Sequence, residues 1–149
     1  MNYSIVSKDT IKIGERIIAL PMSIGRSPGK IPKINETGNI LYDEYYVEEV
    51  DGLIYVCFYP ATDEEENKYV EYLKSHPESD GDSTIWAFDL AGNKVWEIEP
   101  SPRGKQLNRS AAFSAFLFKG DEMWAYSIEG LNYLVDKKTG KLLRYVETR

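Results

Sequence analysis

The side chains that most often carry catalysis are scarce in this sequence. Its 149 residues include one histidine, His76, and one cysteine, Cys57. His76 stands before Pro77 at the end of a helical pattern, where a cation is favourable without any catalytic role. Cys57 lies in the apolar run Val56-Cys57-Phe58 and reads as a buried structural thiol. Without a second histidine or more cysteines, neither a zinc site nor an internal disulfide is expected.

Short motifs fail in specific ways. Ser79-Asp80-Gly81-Asp82, with Asp89 beyond it, is rich enough in carboxylates for calcium. It lacks the loop spacing and closing glutamate of an EF-hand, so it reads as a turn. Gly25-Arg26-Ser27-Pro28-Gly29-Lys30 has too short a spacer for a phosphate loop, and Ile31 stands where a Ser or Thr should follow the lysine. There is no Gly-x-Ser-x-Gly elbow. Adjacent carboxylates such as Glu64 and Glu65 are plentiful, yet nothing in the sequence raises the pKa of one of them for acid catalysis. The expectation is a chain with no catalytic residue, no metal and no cofactor, acting by binding rather than turnover.

Charge locates where binding could occur. The net charge is −6, from 18 Lys+Arg against 24 Asp+Glu. Residues 40–82 hold 13 of those acids against Lys68 and Lys74 alone, a local balance of −11, which leaves +5 for the rest. Tyrosines interleave with these acids. The candidate partner-binding residues are Asp43, Glu44, Tyr45, Tyr46, Glu48 and Glu49 in one stretch, and Asp63, Glu64, Glu65, Glu66, Tyr69 and Tyr72 in another. The plainer reading is a solvated face with tyrosines packed beneath it. The sharper reading is an interface, because tyrosine supplies rigid contact area and carboxylates supply on-rate and specificity against a cationic surface. The acidity also argues against direct binding of nucleic acid or an anionic membrane.

The elements that must position these residues are mostly strands. Tyr3 to Val6 and Ile11 to Leu20 read as β, broken at Gly14, and residues 21–38, with Pro21, Pro28 and Pro32, read as loop. Ile40–Val50 and Leu53–Tyr59 flank Asp51-Gly52, a strong hairpin signal. Residues 62–76 read as an inserted helix. Thr62 and Glu65 have capping-box spacing, and Tyr69, Val70, Tyr72 and Leu73 form the apolar stripe. Thr84–Leu90 and Lys94–Glu99 form a second hairpin, and a basic linker with Arg103, Lys105 and Arg109 follows. Four strands with tight turns then run from Ala112 to Glu147, which favours an antiparallel sheet. The fold class is therefore all-β, mainly antiparallel, in a single domain over residues 1–149. Residues 1–38 are its N-terminal part, 39–100 a first four-stranded unit with the helical insertion, and 111–149 a second.

The two units align. Ile85–Asp89 sits over Asn132–Asp136 and Lys94–Ile98 over Lys141–Tyr145, both at an offset of 47, with Asp89/Asp136 and Lys94/Lys141 identical. A period of that length with four strands suits a β-propeller blade. Apolar residues on both faces of Ile85–Leu90 and Phe113–Phe118 suit sheets stacked between sheets. Trp86-Ala87-Phe88-Asp89-Leu90-Ala91-Gly92-Asn93-Lys94-Val95-Trp96 resembles the blade motif of quinoprotein-type propellers, and Tyr133 to Leu143 is a weaker copy. That resemblance implies blade packing and is silent on function. Two blades, or a half-propeller, fill most of the chain. In overall form, charge and repeat count the chain is similar to the small acidic half-propeller immunity proteins of bacterial contact-dependent growth inhibition systems. The resemblance implies a monomer bound to one cognate basic toxin domain, a nuclease whose phosphate-binding site is cationic. No shared catalytic residues come with it.

Two other readings belong to different classes. A two-blade carbohydrate-binding lectin would oligomerise into a closed propeller and leave the acidic segment without a role. An enzyme of unrecognised type would have to work with one histidine and one cysteine. No run of ~18 apolar residues is present for a membrane helix. Ile17–Leu20 is too short for a secretory signal core, and the expected compartment is a reducing cytoplasm.

Overall fold

The computed structural model describes residues 2–29, 31–76, 83–101, 113–127 and 130–147. Residues 77–82 and the basic linker with Arg103, Lys105 and Arg109 lie outside this set. Three strands open the chain: β1 (Tyr3–Ser7), β2 (Thr10–Ile13) and β3 (Arg16–Ala19). They form an antiparallel sheet in the order β1-β2-β3.

Residues 21–45 are more ordered than a loop. β4 (Arg26–Ser27) pairs with β7 (Glu44–Tyr45), and β5 (Lys33–Ile34) pairs with β6 (Ile40–Leu41). The Asn35 side chain closes the inner turn by accepting from the backbone N–H of Thr37 and Asn39, with Gly38 at φ 87°. An Asx-type turn of this kind lets two-residue strands meet. The expected single strand Ile40–Val50 is thus three pieces, and only β8 (Val47–Val50) joins the next sheet.

That sheet contains β8, β9 (Leu53–Cys57), β10 (Ile85–Asp89) and β11 (Lys94–Glu97), in the order β11-β10-β9-β8. Asp51 and Gly52 both take positive φ, 51° and 82°, as a two-residue hairpin turn of the primed type requires. The helix α1 (Asp63–Ser75) is inserted between β9 and β10. The last sheet runs in chain order: β12 (Phe113–Lys119), β13 (Glu122–Ser127), β14 (Leu131–Val135) and β15 (Leu142–Glu147). The described residues are mostly antiparallel β with one helix, and they include two four-stranded sheets.

Register sharpens the internal repeat and corrects one part of it. In both four-stranded sheets the pairing of the last two strands shifts at the same place, between Ala87 and Phe88 and between Leu134 and Val135. Trp96 then stands opposite Ala87, and Arg144 opposite Leu134. The last strands are therefore related by 48 residues, not 47, because the second turn is one residue longer. Lys94 corresponds to Leu142, and the Lys94/Lys141 identity is an accident of ungapped alignment. For the first two strands the offset is 69: Val50 opposite Leu53 matches Lys119 opposite Glu122. The difference is the length of the helical insertion.

The core forms two layers, one on each face of the middle sheet. Ile54, Val56, Trp86 and Phe88 pack with Ile11 and Ile13 of the first sheet and with Tyr69 of the helix. Tyr55, Cys57, Ala87 and Trp96 pack with Phe116, Met123, Tyr133 and Val135 of the last sheet. Both faces are apolar because both are covered, and burying each large side chain contributes about 1.5–3 kcal/mol. Two turn glycines fasten neighbouring sheets. A Cβ on Gly92 would come within 2.9 Å of the Ile13 carbonyl and of Arg16, and one on Gly140 within 2.6 Å of the Trp96 ring.

Candidate functional site

The acidic strand β8 is an edge strand, and so is β12 of the last sheet. A groove of about 1050 Å³ opens beside them, lined by Glu44, Tyr45, Tyr46, Glu48 and Glu49 on one side and Phe116 and Phe118 on another, with Asn2 and Tyr3 from the N-terminus. Five of the twelve expected partner-binding residues thus converge on one concave surface. The turn at Asp51-Gly52 sets the register of β8, and the alternation of a strand puts Glu48 and Glu49 on opposite faces of its edge, opposite Tyr55 and Ile54.

The backbone beneath the groove is held tightly. Tyr46 donates its N–H to the Gly25 carbonyl at 2.8 Å and accepts from Cys57 N–H at 3.0 Å. Its ring lies 5.6 Å from that of Phe116. The Tyr45 ring carries the Arg26 guanidinium 4.3 Å above it. Asn2 Nδ2 donates to both Glu49 carboxylate oxygens at 3.0 Å, and Tyr3 OH reaches the Val47 carbonyl at 3.5 Å. Burial pushes the Tyr3 hydroxyl above its ordinary pKa, and the field of Glu48, Glu49 and Glu44 adds to the shift. The floor therefore offers neutral hydroxyls and rings, and the rim offers carboxylates. Among the described residues, no Lys or Arg lies within 4 Å of Glu44, Glu48 or Glu49 in an ion pair, whereas Asp43 is paired with Lys33 at 2.9 Å.

The helical set has a different fate. No helix residue lines the groove. Thr62 caps the helix by accepting from Glu65 N–H at 3.2 Å. The expected reciprocal half of the capping box is replaced, because the Glu65 carboxylate accepts instead from Ser23 N–H at 2.7 Å, with Lys8 4.0 Å away. Glu65 is a clip between helix and N-terminal segment, and Tyr69 is 1% exposed in the core. Neither offers a partner-facing surface, for the same reason: the helix must attach to the sheet somewhere, and these residues do it. Tyr72 stacks on Tyr69 and His76. Asp63, Glu64 and Glu66 are left at the helix N-terminal turn, with Lys68 3.9 Å from Glu64.

Sequence reasoning missed Asn2, Tyr3, Phe116 and Phe118. The one signal pointing to the phenylalanines is the repeat, which sets β12 over β8 at 69 residues and makes their edges counterparts. His76 is the helix C-cap, its Nδ1 2.9 Å from the Tyr72 carbonyl. Cys57 is fully buried, and burial pushes its thiol far above the ordinary range. Among the described residues, no helix is long and apolar enough to cross a membrane.

Comparisons with known proteins add a family and no activity. No curated protein matches the chain. Among solved structures, the crystal structure of the computationally designed Ika8 protein aligns with a TM-score of 0.42 and 14% identity, over 97% of this chain and 36% of that one. The chain thus spans about a third of that protein's length. The family model of a domain of unknown function, DUF7957, matches residues 61–146. That stretch holds the helix and the last six strands, and the chain belongs to this family.

Proposed function

We propose that this DUF7957 protein is a protein inhibitor, the immunity partner in a bacterial contact-dependent growth inhibition system. In this reading one chain neutralises one toxin domain by setting its acidic groove against a basic, nucleic-acid-binding surface of a nuclease. The observation that carries the reading is the convergence of Glu44, Glu48 and Glu49 with Tyr3, Tyr45 and Tyr46 in one groove. Carboxylates at a rim accelerate encounter with a cationic partner, and aromatic side chains behind them supply the contact area that retains it. Action by binding rather than turnover fits a groove that contains neither His76 nor Cys57. The compartment in this reading is the cytoplasm, where an incoming toxin would act.

The same reading takes the four-stranded sheets as propeller-like blades. Their common strand order, the bulge at equivalent positions and the turn glycines seated on the preceding sheet support it.

The test is association of the chain with a basic nuclease toxin domain encoded beside it, followed by stopped flow at several salt concentrations. Reversing Glu44, Glu48 and Glu49 to lysine is expected to lower the association rate by about tenfold or more and to flatten its salt dependence. Reversing Asp63, Glu64 and Glu66 is expected to change it far less. If the groove variant binds and protects like the parent chain, the reading fails.

A further inference from the structure

The three sheets stack with a direction. The middle sheet gives Ile54, Val56, Trp86 and Phe88 to the first sheet, and Tyr55, Cys57, Ala87 and Trp96 to the last. By register, the counterparts of the first set are Met123, Ala125, Tyr133 and Val135, and these face the middle sheet. The counterparts of the second set are Trp124, Tyr126, Leu134 and Arg144. They form the open face of the last sheet, with Leu117 opposite Trp124 and Val146 opposite Asn132. Positions that are core in the middle sheet are therefore half-buried (Trp124, Leu134) or exposed (Tyr126, Arg144) in its repeat. Val146, the counterpart of the core residue Ile98, is exposed as well, and all but Arg144 are apolar or aromatic. Leu117 is 63% exposed, Val146 47% and Tyr126 39%. A hollow of about 540 Å³ crosses this face.

The other end of the stack is different. The open face of the first sheet carries Ser4 and Lys12 beside Ile17, in register across β1, β2 and β3. That face also exposes Ile17 (68%) and, in β1, Val6 (55%), so what sets it apart from the last sheet's face is the Lys12 cation in its central strand rather than a polar finish.

We propose that the open face of the last sheet is a homodimer interface, where two copies pack β12–β15 on β12–β15 about a twofold axis. The face continues, by repeat, the surface already buried between the middle and last sheets. Its charges are of both signs, Lys119 opposite Glu122 at one end and Arg144 over the Trp124 ring at 5.0 Å. A twofold rotation can bring such a set onto its own complement, whereas the one-signed acidic groove would repel its copy. Head-to-tail stacking would set Lys12 against the apolar face, which costs desolvation of an unpaired cation. Four strands ~4.8 Å apart and about six residues long at ~3.3 Å each give roughly 400 Å² of flat sheet per copy. With side-chain relief, two copies bury about 1,000 Å², at the lower limit for a specific interface, so the dimer forms at micromolar rather than nanomolar concentration.

Sedimentation equilibrium of the full chain without partner, across the micromolar range, tests this independently of the inhibitor reading. A monomer–dimer equilibrium is expected. Val146→Asp and Leu117→Asp should each raise the dimer dissociation constant about tenfold or more, with far-UV circular dichroism unchanged, and Ile17→Asp should leave it as it was. Lys119→Glu should weaken the dimer, and adding Glu122→Lys should restore it. A monomer throughout, a dimer indifferent to Val146→Asp and to the charge reversals, assembly beyond the dimer, or loss of assembly in Ile17→Asp would each overturn the proposal. Failure of the parent chain to bind or inhibit a basic toxin domain, with the dimer intact, would count against the inhibitor reading alone.

Discussion

The Glu65 carboxylate accepts a hydrogen bond from the Ser23 backbone N–H at 2.7 Å, across 42 residues of chain. It joins the first turn of the helix to the segment leading out of the N-terminal sheet. The side chain is only 12% exposed, so little water is available to take over either partner. This one contact divides the acidic segment into residues that hold the fold and residues that face outward.

Glu65→Ala is therefore expected to lower stability by about 1–3 kcal/mol, since it leaves a backbone donor without an acceptor in a half-buried place. Glu65→Gln keeps an acceptor oxygen and should lose less. Urea denaturation by circular dichroism measures both. Equal losses in the two variants would show that the contact is not what matters there.

Gly140→Ala combines two penalties. The backbone is at φ 75°, and the new methyl group would lie 2.6 Å from the Trp96 ring. The Trp96 indole N–H also donates to the Lys137 carbonyl at 2.8 Å, so the ring cannot retreat without breaking that bond. The expected loss is more than about 2 kcal/mol. Gly120→Ala, at φ 62° with open space around it, should lose only about 1 kcal/mol from backbone strain. The difference between the two denaturation midpoints is the measurement.

Asp89 accepts from the backbone N–H of Ala91 and Asn93, both at 2.9 Å, and from Asn93 Nδ2. The hydrogen bonds from Asn93 are the main cause holding its carboxyl below the ordinary value, against the opposing effect of desolvation. A depressed folded-state pKa stabilises the fold above the unfolded pKa, and that contribution disappears as pH falls through the folded one. NMR titration of Asp89 should give a midpoint below the usual ~3.9 for aspartate. Asp89→Asn should flatten part of the stability loss between about pH 4 and the folded midpoint. A normal midpoint would contradict the turn geometry.

Cys57 should resist thiol reagents in the native state. It is fully buried, and desolvation disfavours the reactive thiolate. Modification by a disulfide reagent at neutral pH should be negligible until denaturant is added, then complete. Rapid native labelling would mean that the interface between the middle and last sheets opens readily.

Local chemistry was the legible part of the sequence. Asp51-Gly52 announces its hairpin because few other residue pairs tolerate two positive φ angles in succession. Thr62 announces the helix start because its hydroxyl can reach the Glu65 N–H. The strands of the last sheet are separated by glycine turns that can be read one by one. Residues 33–45 were not legible in this way: their two-residue strands owe more to Asn35 and to distant pairing with Arg26–Ser27 than to any periodicity. The extra turn residue in the second repeat was hidden for a related reason. Counting positions cannot show where a bulge or a longer turn absorbs one.

The sequence by itself determined the class of the protein: antiparallel β with one inserted helix, one buried cysteine, and acidity concentrated between residues 40 and 82. These follow from backbone preferences and composition, which act over a few residues at a time. Only the tertiary structure decided which acids share a surface. Glu44, Glu48 and Glu49 meet Tyr3 and Phe116 because separate sheets bring their edges together, while Glu65 and Tyr69, equally promising in the sequence, are drawn inward to anchor the helix. The same packing decided that the last sheet keeps an apolar face uncovered. Burial is a property of what lies opposite a residue in space, and that partner is set by the stacking of whole sheets.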